Sequence, residues 1–377
     1  MSDSNPLAQL NLLGQSVWYD FIRRDLIQNG TLTNWITQDR LAGMTTNPAI
    51  FAAAIGGSAL YDADIQAAPP ASDANDVLRS LAIADVRAAA DLFRPVYEQS
   101  GGRDGFVSIE VDPRLSHDAQ GTIREAQTLW KLCDRPNVMI KIPGTVPGLD
   151  AIEQTLISGI NVNVTLLFSV SRYRDVMDRY IRALQIRRRQ GLSIGHVASV
   201  ASFFISRVDT MLDPTLRRLA KEGHTAEIQT MASNLTSKIG IANARLAYAE
   251  FEKRFAELDA IDLVGAGAQI QRPLWASTST KDPTLSDIIY VESLVGKNTV
   301  NTMPPVTYDA YRDRGSPQLV LGGNVDADSA LLAGLAPLGI LFTQVTDTLE
   351  DEGCQKFVDA HLHLLEVIRQ KRAGQST

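Results

Sequence analysis

The chain has 377 residues, of which 45% are hydrophobic and 21% charged, so it can bury a large core in one to three domains. Its formal net charge of −7 argues against a general attraction to nucleic acid or anionic membranes, and any phosphate site must be local. Two cysteines make no disulfide framework, no apolar run approaches the roughly 20 residues of a membrane span, and the first residues resemble no secretory signal, so we expect a soluble cytoplasmic protein without nucleic-acid or membrane partners.

Short apolar runs alternate with helical patterns along the chain, which predicts βα units and a parallel sheet. The candidate strands are 16–20 (SVWYD), 41–47 (LAGMTTN), 106–111 (FVSIEV), 137–142 (NVMIKI), 160–166 (INVNVTL), 196–204 (HVASVASFF), 273–279 (PLWASTS) and 299–303 (TVNTM). Eight strands with intervening helices predict an α/β fold, a (β/α)8 TIM barrel in which residues 1–377 form a single domain.

Two segments depart from this alternation. Residues 56–76 are rich in Ala, Pro and Asp and predict an insertion or irregular loop. Residues 307–377 predict a C-terminal helical extension that packs on the barrel or across one of its mouths. In that extension His361 and His363 are two positions apart on a predicted helix and face different ways, so we expect no metal site there. The arginines at 187–189 lie at a helix end and predict a solvated surface.

Polar side chains occupy the predicted strand ends, where an inert barrel would carry Val or Ile. Chemistry in a barrel gathers at the carboxyl ends of the strands, because the βα loops meet there. Six strands supply such residues, which predicts one common site: Asp20, Asn47, Glu110, Lys141, Asn163, Thr165, Ser202 and Arg207.

The strand residue Lys141 is the strongest candidate for chemistry. Strand alternation places it on the face of Met139, which we expect to point into the barrel because the flanking helices need the other, apolar face. A desolvated amine has a lowered pKa and can attack a carbonyl as the free base. Glu110 and Asp20 could transfer protons, while Asn47, Asn163 and Thr165 could hold sugar hydroxyls. The alternative is a buried Lys–Glu pair that serves only architecture.

Four segments together resemble the transaldolase family of class I Schiff-base aldolases, in the branch whose members can be fused to glucose-6-phosphate isomerase. GMTTNPAIF (43–51) and IKIPGTVPGLDAIEQTL (140–156) resemble its two signature regions. IEVDPRLSHD (109–118) and INVNVTLLFS (160–169) match two further family segments. The resemblance extends from about residue 14 to residue 305, and its motifs occur in order at sensible spacing.

The resemblance implies a role for each catalytic residue. Lys141 would form an imine with the C2 carbonyl of a ketose phosphate. Asp20 would handle the proton of the C4 hydroxyl as the C3–C4 bond breaks. Glu110, acting with Thr165 through a water, would serve formation and hydrolysis of the carbinolamine. Because the imine is the electron sink, the resemblance implies neither a metal nor a cofactor.

The resemblance also implies the residues that bind substrate. Asn47, with Thr46 beside it, and Asn163 would hold the three-carbon fragment. The segment ASFFISR (201–207) assigns Ser202 and Arg207 to the phosphate end, where the planar guanidinium matches phosphate oxygens. The second family arginine is replaced within WASTSTKDP, and Lys281 is the candidate second cation. Phe204 occupies a position where relatives that release free dihydroxyacetone tend to carry tyrosine, which favours transfer.

The function implied is that of a transaldolase of the non-oxidative pentose phosphate pathway. It would transfer a dihydroxyacetone unit from sedoheptulose 7-phosphate to glyceraldehyde 3-phosphate, giving erythrose 4-phosphate and fructose 6-phosphate. Its partners would then be small sugar phosphates, with a monomer and a homodimer both open. The alternatives are a fructose-6-phosphate aldolase-like Schiff-base lyase and an inactive sugar-phosphate-binding barrel.

Overall fold

The computed structural model describes residues 5–374. Within this range eight parallel strands form a closed barrel, paired in chain order from β1 to β8, with β8 pairing back onto β1. The strands are β1 Gln15–Tyr19, β2 Gly43–Met44, β3 Phe106–Glu110, β4 Val138–Pro143, β5 Val162–Leu167, β6 Ser199–Phe204, β7 Arg272–Ala276 and β8 Thr299–Met303. The predicted (β/α)8 barrel is confirmed.

Helices surround the barrel and extend beyond it. They are α1 Pro6–Leu12, α2 Arg24–Gln28, α3 Thr31–Gln38, α4 Pro48–Phe51, α5 Asp62–Ala67, α6 Ala74–Gln99, α7 Ala119–Cys133, α8 Val146–Ile157, α9 Val170–Arg189, α10 Ser206–Glu222, α11 Ala226–Leu235, α12 Ile239–Phe255, α13 Leu258–Gly265, α14 Ile289–Glu292, α15 Pro305–Arg314, α16 Asp326–Ala333 and α17 Phe342–Arg372. Several follow a strand directly and begin at a polar cap. Thr145, for example, accepts a hydrogen bond from the Gly148 amide and so fixes the start of α8.

Some strands are shorter than the sequence predicts, and the reason lies in the backbone. The run 41–47 contributes only the two residues of β2, because the chain leaves the sheet at Thr45 and starts α4 at Pro48. The run 273–279 ends at Ala276, where Ser277 turns to a positive φ of 57°. Leu166 also has a positive φ, 59°, at a register shift between β5 and β6. Such backbone turns leave little trace in hydrophobic periodicity.

An apolar layer fills the barrel below its C-terminal mouth. Alternate strand residues meet inside it, including Trp18, Phe106, Met139, Leu274 and Val300. Gly43 is required beside this layer, because a Cβ at that position would lie 2.5 Å from the Trp18 ring. The next inward position of β4 after Met139 is Lys141, so the lysine stands on top of a closed floor.

The segment 56–76 and the C-terminal extension pack on each other. Residues 56–76, predicted as an insertion or irregular loop, contain the helix α5 and the start of α6. The Lys371 ammonium near the end of α17 donates to the Ser58 carbonyl at 2.7 Å and to the Asp62 carboxylate at 2.6 Å. The 31-residue helix α17 thereby lies across α4, α5 and α6 at the mouth of the barrel.

Two smaller predictions have different outcomes. The sequence predicts a solvated surface for 187–189, and for Arg187 this is wrong. Its side chain is buried, and its guanidinium donates to the carbonyls of Ile157 and Ser193 at 2.7 to 3.0 Å. The expectation that His361 and His363 face differently is confirmed, since His361 is buried and His363 is exposed.

No single helix within residues 5–374 is long and apolar enough to cross a membrane. The bent pair of 326–338 and Phe342–Arg372, which turns by 94°, reaches the required length and composition only when its two parts are taken together.

Candidate active site

Lys141 lies on the central one of three neighbouring strands, and the strand register places a polar residue beside it on each side. It is directly opposite Glu110 of β3 and Asn163 of β5. Its side chain is only 5% exposed, its ammonium donates to the Thr46 carbonyl at 3.1 Å, and Nζ lies 3.4 Å from Oε2 of Glu110. The buried amine thus has one carboxylate and one carbonyl oxygen within 3.4 Å, and its ammonium can donate to further acceptors.

Glu110 is a buried carboxyl with few polar contacts. Its side chain is 3% exposed, and burial raises its pKa to about 7, although the nearby Lys141 ammonium acts in the opposite direction. Neither of its carboxylate oxygens, nor the buried hydroxyl of Thr165, has a hydrogen-bond partner among the described residues. A carboxyl with a pKa near neutrality can both give and take a proton.

Asp20 stands at the end of β1 in a chain of hydroxyls. Thr45 donates to its Oδ1 at 2.6 Å, and the Thr45 and Thr302 hydroxyl oxygens are 2.5 Å apart. When Thr45 donates to Asp20, Thr302 must donate to Thr45. Burial raises the pKa of Asp20, while Lys141 and the Thr45 hydrogen bond act to lower it. The arrangement leaves the second carboxylate oxygen of Asp20 for a ligand.

Asn163 is fixed by two serines. Its amide nitrogen donates to the Ser108 hydroxyl at 2.9 Å, and its amide oxygen accepts from the Ser202 hydroxyl at 2.7 Å. Asn163 is fully buried, and Ser202 is nearly so. The resemblance implies that Ser202 lies at the phosphate end, and Ser202 does line a pocket with Arg207. Its hydroxyl also orients Asn163, which lies beside Lys141 in the strand register.

Thr46 and Asn47 connect the lysine to the start of α4. The Thr46 hydroxyl donates to the Ser108 carbonyl at 2.8 Å, which holds the Thr46 carbonyl against Lys141. The Asn47 side chain accepts from the Ile50 amide at 3.0 Å and caps α4, with Pro48 as its first residue. Asn47 therefore starts a helix and also lines the pocket that contains Lys141.

Arg207, at the second position of α10, provides the cationic side of the pocket. Its guanidinium lies 4.9 Å from the ring centroid of Phe204 and 6.0 Å from that of Phe357. Burial lowers its pKa, against the opposing effect of the carboxylates of Asp20 and Glu110. Its buried Nη1 has no hydrogen-bond partner among residues 5–374. A guanidinium held between two rings suits an oxyanion ligand.

Lys281 borders the same pocket from the loop after β7. It is exposed, and its ammonium donates to the Ser279 hydroxyl at 2.9 Å. The loop thus brings a second cation to the side of Arg207, although this cation is far less enclosed than Arg207.

Most of the predicted residues line one pocket of about 580 Å³, a volume that includes space open to solvent: Asp20, Asn47, Lys141, Ser202, Phe204, Arg207 and Lys281. The other predicted residues, Thr46, Glu110, Asn163 and Thr165, are not part of its lining. Glu110 borders a second pocket, which lies between α6, α7 and α17 and also touches Asn47. Among the described residues, no three His, Cys, Asp or Glu side chains are grouped so as to hold a metal ion.

Four residues of the site were missed by sequence reasoning: Thr45, Ser108, Thr302 and Phe357. Thr45 and Thr302 are polar residues near the ends of predicted strands, so the rule that identified the other site residues could also have identified them. Ser108 alternates with Glu110 on β3 and could have been placed inside the barrel by the same rule as Lys141. Phe357 comes from the distant helix α17, and helical periodicity gave no indication that it reaches this pocket.

The fold and the site define a (β/α)8-barrel enzyme whose C-terminal mouth holds a buried lysine with two carboxyl groups and an arginine. Residues 17–368 match the sequence model of the transaldolase/fructose-6-phosphate aldolase family. A transaldolase of Acidothermus cellulolyticus is 48% identical over 94% of this chain and 93% of its own length. Transaldolases of Thermobifida fusca and Mycobacterium bovis are each 45% identical, over 98% of this chain and 99% and 98% of theirs. The chain belongs to the transaldolase/fructose-6-phosphate aldolase family.

Proposed function

We propose that the chain is a transaldolase that transfers a dihydroxyacetone unit from sedoheptulose 7-phosphate to glyceraldehyde 3-phosphate, giving erythrose 4-phosphate and fructose 6-phosphate. The observation that carries the proposal is the buried Lys141 amine, 3.4 Å from Glu110 in a pocket that also holds Arg207. Membership of the family and relatives that bear the name transaldolase support the same reaction.

In the first step the Lys141 ammonium passes a proton to the Glu110 carboxylate, 3.4 Å away, and the free amine attacks the C2 carbonyl of the ketose phosphate. The carbinolamine that forms loses water to give the imine, and Glu110 supplies the proton for the departing hydroxyl. Its raised pKa, about 7, suits a group that donates this proton and takes it back when water later hydrolyses the imine. The family resemblance assigns Thr165 to hold that water with Glu110, and the buried hydroxyl of Thr165 has no hydrogen-bond partner among the described residues.

The second step is cleavage of the C3–C4 bond. Asp20 takes the proton of the C4 hydroxyl, the C4–O bond becomes the carbonyl of the leaving aldose phosphate, and the bond electrons pass into the imine to form an enamine. The hydrogen bond from Thr45 holds Oδ1 of Asp20, so Oδ2 is the oxygen for this proton. The enamine then attacks the acceptor aldehyde, and Asp20 returns the proton to the new hydroxyl.

Binding follows from the polar groups around these atoms. Asn163, oriented by Ser108 and Ser202, and Asn47, next to Thr46, hold hydroxyls of the three-carbon fragment. Arg207 binds the phosphate, and Lys281 is the outer cation. The reaction takes no cofactor, because the imine accepts the electrons. We propose a cytoplasmic enzyme whose partners are sugar phosphates, not nucleic acids or membranes.

The test is to trap the imine. The protein is incubated with fructose 6-phosphate, reduced with borohydride, and digested for peptide mass mapping. We expect a three-carbon adduct on Lys141 and none in Lys141→Met, which keeps the length and apolar stem of the side chain. An unmodified Lys141 in folded wild-type protein would return the Lys–Glu pair to a purely architectural role. Added erythrose 4-phosphate distinguishes transfer from cleavage, because a transferase then makes sedoheptulose 7-phosphate.

A further inference from the structure

The C-terminal helix α17 contributes an aromatic side chain to the pocket. Phe357 is only 4% exposed, and its ring centroid lies 5.6 Å from Nζ of Lys141 and 6.0 Å from the guanidinium carbon of Arg207. The proposed reaction assigns it no role. The ring reaches two of the three cations that line this pocket, and besides attracting them it covers their surface against water, which a polar side chain would not do.

The helix is fitted closely to the barrel one turn before this ring. A Cβ on Gly353 would lie 2.9 Å from Cδ2 of Leu166 and 3.5 Å from Nη1 of Arg207. A glycine inside a helix is less favourable than alanine, and this close approach explains why one is present here. One turn earlier, Glu350 lies 3.9 Å from Arg172, whose guanidinium donates to the Gly144 carbonyl after β4. These contacts fix Phe357 over the lysine.

Two rings therefore border the pocket around the reacting groups. Phe204 reaches Arg207 from β6, and Phe357 reaches Arg207 and Lys141 from α17. Neither ring carries a proton donor, and both exclude water from the surface they cover. Exclusion of water protects a reactive intermediate from side reactions, above all from protonation. The intermediate at risk is the enamine on Lys141, which waits for an aldehyde acceptor.

We infer that Phe357 determines whether the three-carbon unit is transferred or released, by keeping water from the enamine; this inference rests on the proposed function. Where water reaches the enamine, it protonates the carbon that had been bonded to C4, and the enamine electron pair forms the new C–H bond. The resulting imine is hydrolysed to free dihydroxyacetone and the Lys141 amine. The net change is ketose phosphate to dihydroxyacetone plus aldose phosphate, without an external oxidant or reductant.

The experiment compares side chains of equal size and opposite polarity. Phe357→Leu and Phe357→Asn are nearly isosteric with each other, and Leu362→Ala on the same helix, at a position 46% exposed, controls for changes in α17 itself. Each protein is given fructose 6-phosphate with and without erythrose 4-phosphate, and free dihydroxyacetone and sedoheptulose 7-phosphate are measured. We expect Phe357→Asn to raise the ratio of release to transfer by about tenfold or more, and Phe357→Leu and Leu362→Ala to stay near the wild type.

Equal ratios in the Leu and Asn variants would overturn the inference, as would a high ratio in Leu362→Ala. If Phe357→Asn does not fold, Phe357→Ala opens the same surface and takes its place in the comparison with Phe357→Leu. The borohydride adduct is measured in every variant. A wild-type protein without the adduct contradicts the proposed function, whereas an adduct in all variants with unchanged ratios contradicts only the role of Phe357.

Discussion

The Lys141 ammonium and the Glu110 carboxylate are a buried pair, 3.4 Å apart, with exposed side-chain fractions of 5% and 3%. Removing one partner of such a pair leaves the other without compensation, which costs far more than loss of a surface ion pair. The same proximity allows Glu110 to transfer protons at the substrate carbon that becomes bonded to Nζ of Lys141. The pair therefore affects both the free energy of unfolding and the reaction rate. Substitutions allow the two effects to be measured separately.

Replacing Glu110 by Gln should abolish proton transfer while keeping the shape of the side chain. We expect kcat to fall about 100- to 10,000-fold, since this is the usual contribution of a positioned acid–base group. Binding of the ketose phosphate should change little, because in the proposed function Arg207, not Glu110, holds the phosphate. Single-turnover rates of imine formation, followed by borohydride quench, measure the effect. A variant that forms the imine at the wild-type rate would exclude Glu110 as the acid.

The raised pKa of Glu110 also makes stability depend on pH. Its pKa rises from an ordinary value of 4.5 in the unfolded chain to about 7 in the folded protein. Its contribution to stability is complete below pH 4.5 and is lost as pH rises through 7, because the unfolded chain ionises first. The free energy of unfolding of the wild type, from urea titration, should therefore fall relative to that of Glu110→Gln between pH 5 and pH 8. A difference independent of pH would contradict this assignment.

The hydroxyl chain from Thr302 through Thr45 should set the orientation of Asp20. Thr45→Val removes the 2.6 Å hydrogen bond to Asp20, and we expect C3–C4 cleavage to slow about ten- to a hundredfold, the usual value of a hydrogen bond to a charged group. Because that bond lowers the pKa of Asp20, its loss should move the acidic limb of the pH–rate profile upward. Thr45→Ser keeps the hydroxyl and is the matched control. Equal rates of C3–C4 cleavage in the Val and Ser variants would show that the Thr45 hydroxyl does not orient Asp20.

Arg207 and Lys281 should contribute unequally to phosphate recognition. Arg207→Gln is expected to raise KM for fructose 6-phosphate by roughly 30- to 150-fold, through loss of charged hydrogen bonds. Lys281→Ala should raise it less than about fivefold, because an exposed ammonium is well solvated before binding. The control substrate is fructose, whose weak turnover should not distinguish the variants from the wild type. A larger effect for Lys281 than for Arg207 would reverse the proposed order.

Much of the architecture follows from the sequence because barrel strands are buried on both faces and read as apolar runs. That reading found all eight strands, and alternation from Met139 correctly turned Lys141 into the barrel. The errors lie where backbone turns intervene, as at Ser277, or where a side chain finds buried carbonyls, as Arg187 does. Neither event changes hydrophobic periodicity.

The site itself was predictable only in part. Residues on strand ends converge because topology brings strand ends together, and this rule needs no knowledge of distant contacts. The hydrogen bond of Ser202 to Asn163 depends on the stagger between neighbouring strands, which the sequence does not state. Phe357 depends on the path of α17 over the mouth, and that path is set by contacts such as Lys371 with Asp62.

The apolar layer around Trp18, with Gly43 pressed against the indole, has a kinetic consequence. Since the barrel is filled below Lys141, both aldose phosphates must pass through the same mouth and use the same cationic side of the pocket. The first product must therefore leave before the acceptor enters. We expect double-displacement kinetics, in which reciprocal plots at several acceptor concentrations are parallel and the donor half-reaction proceeds alone.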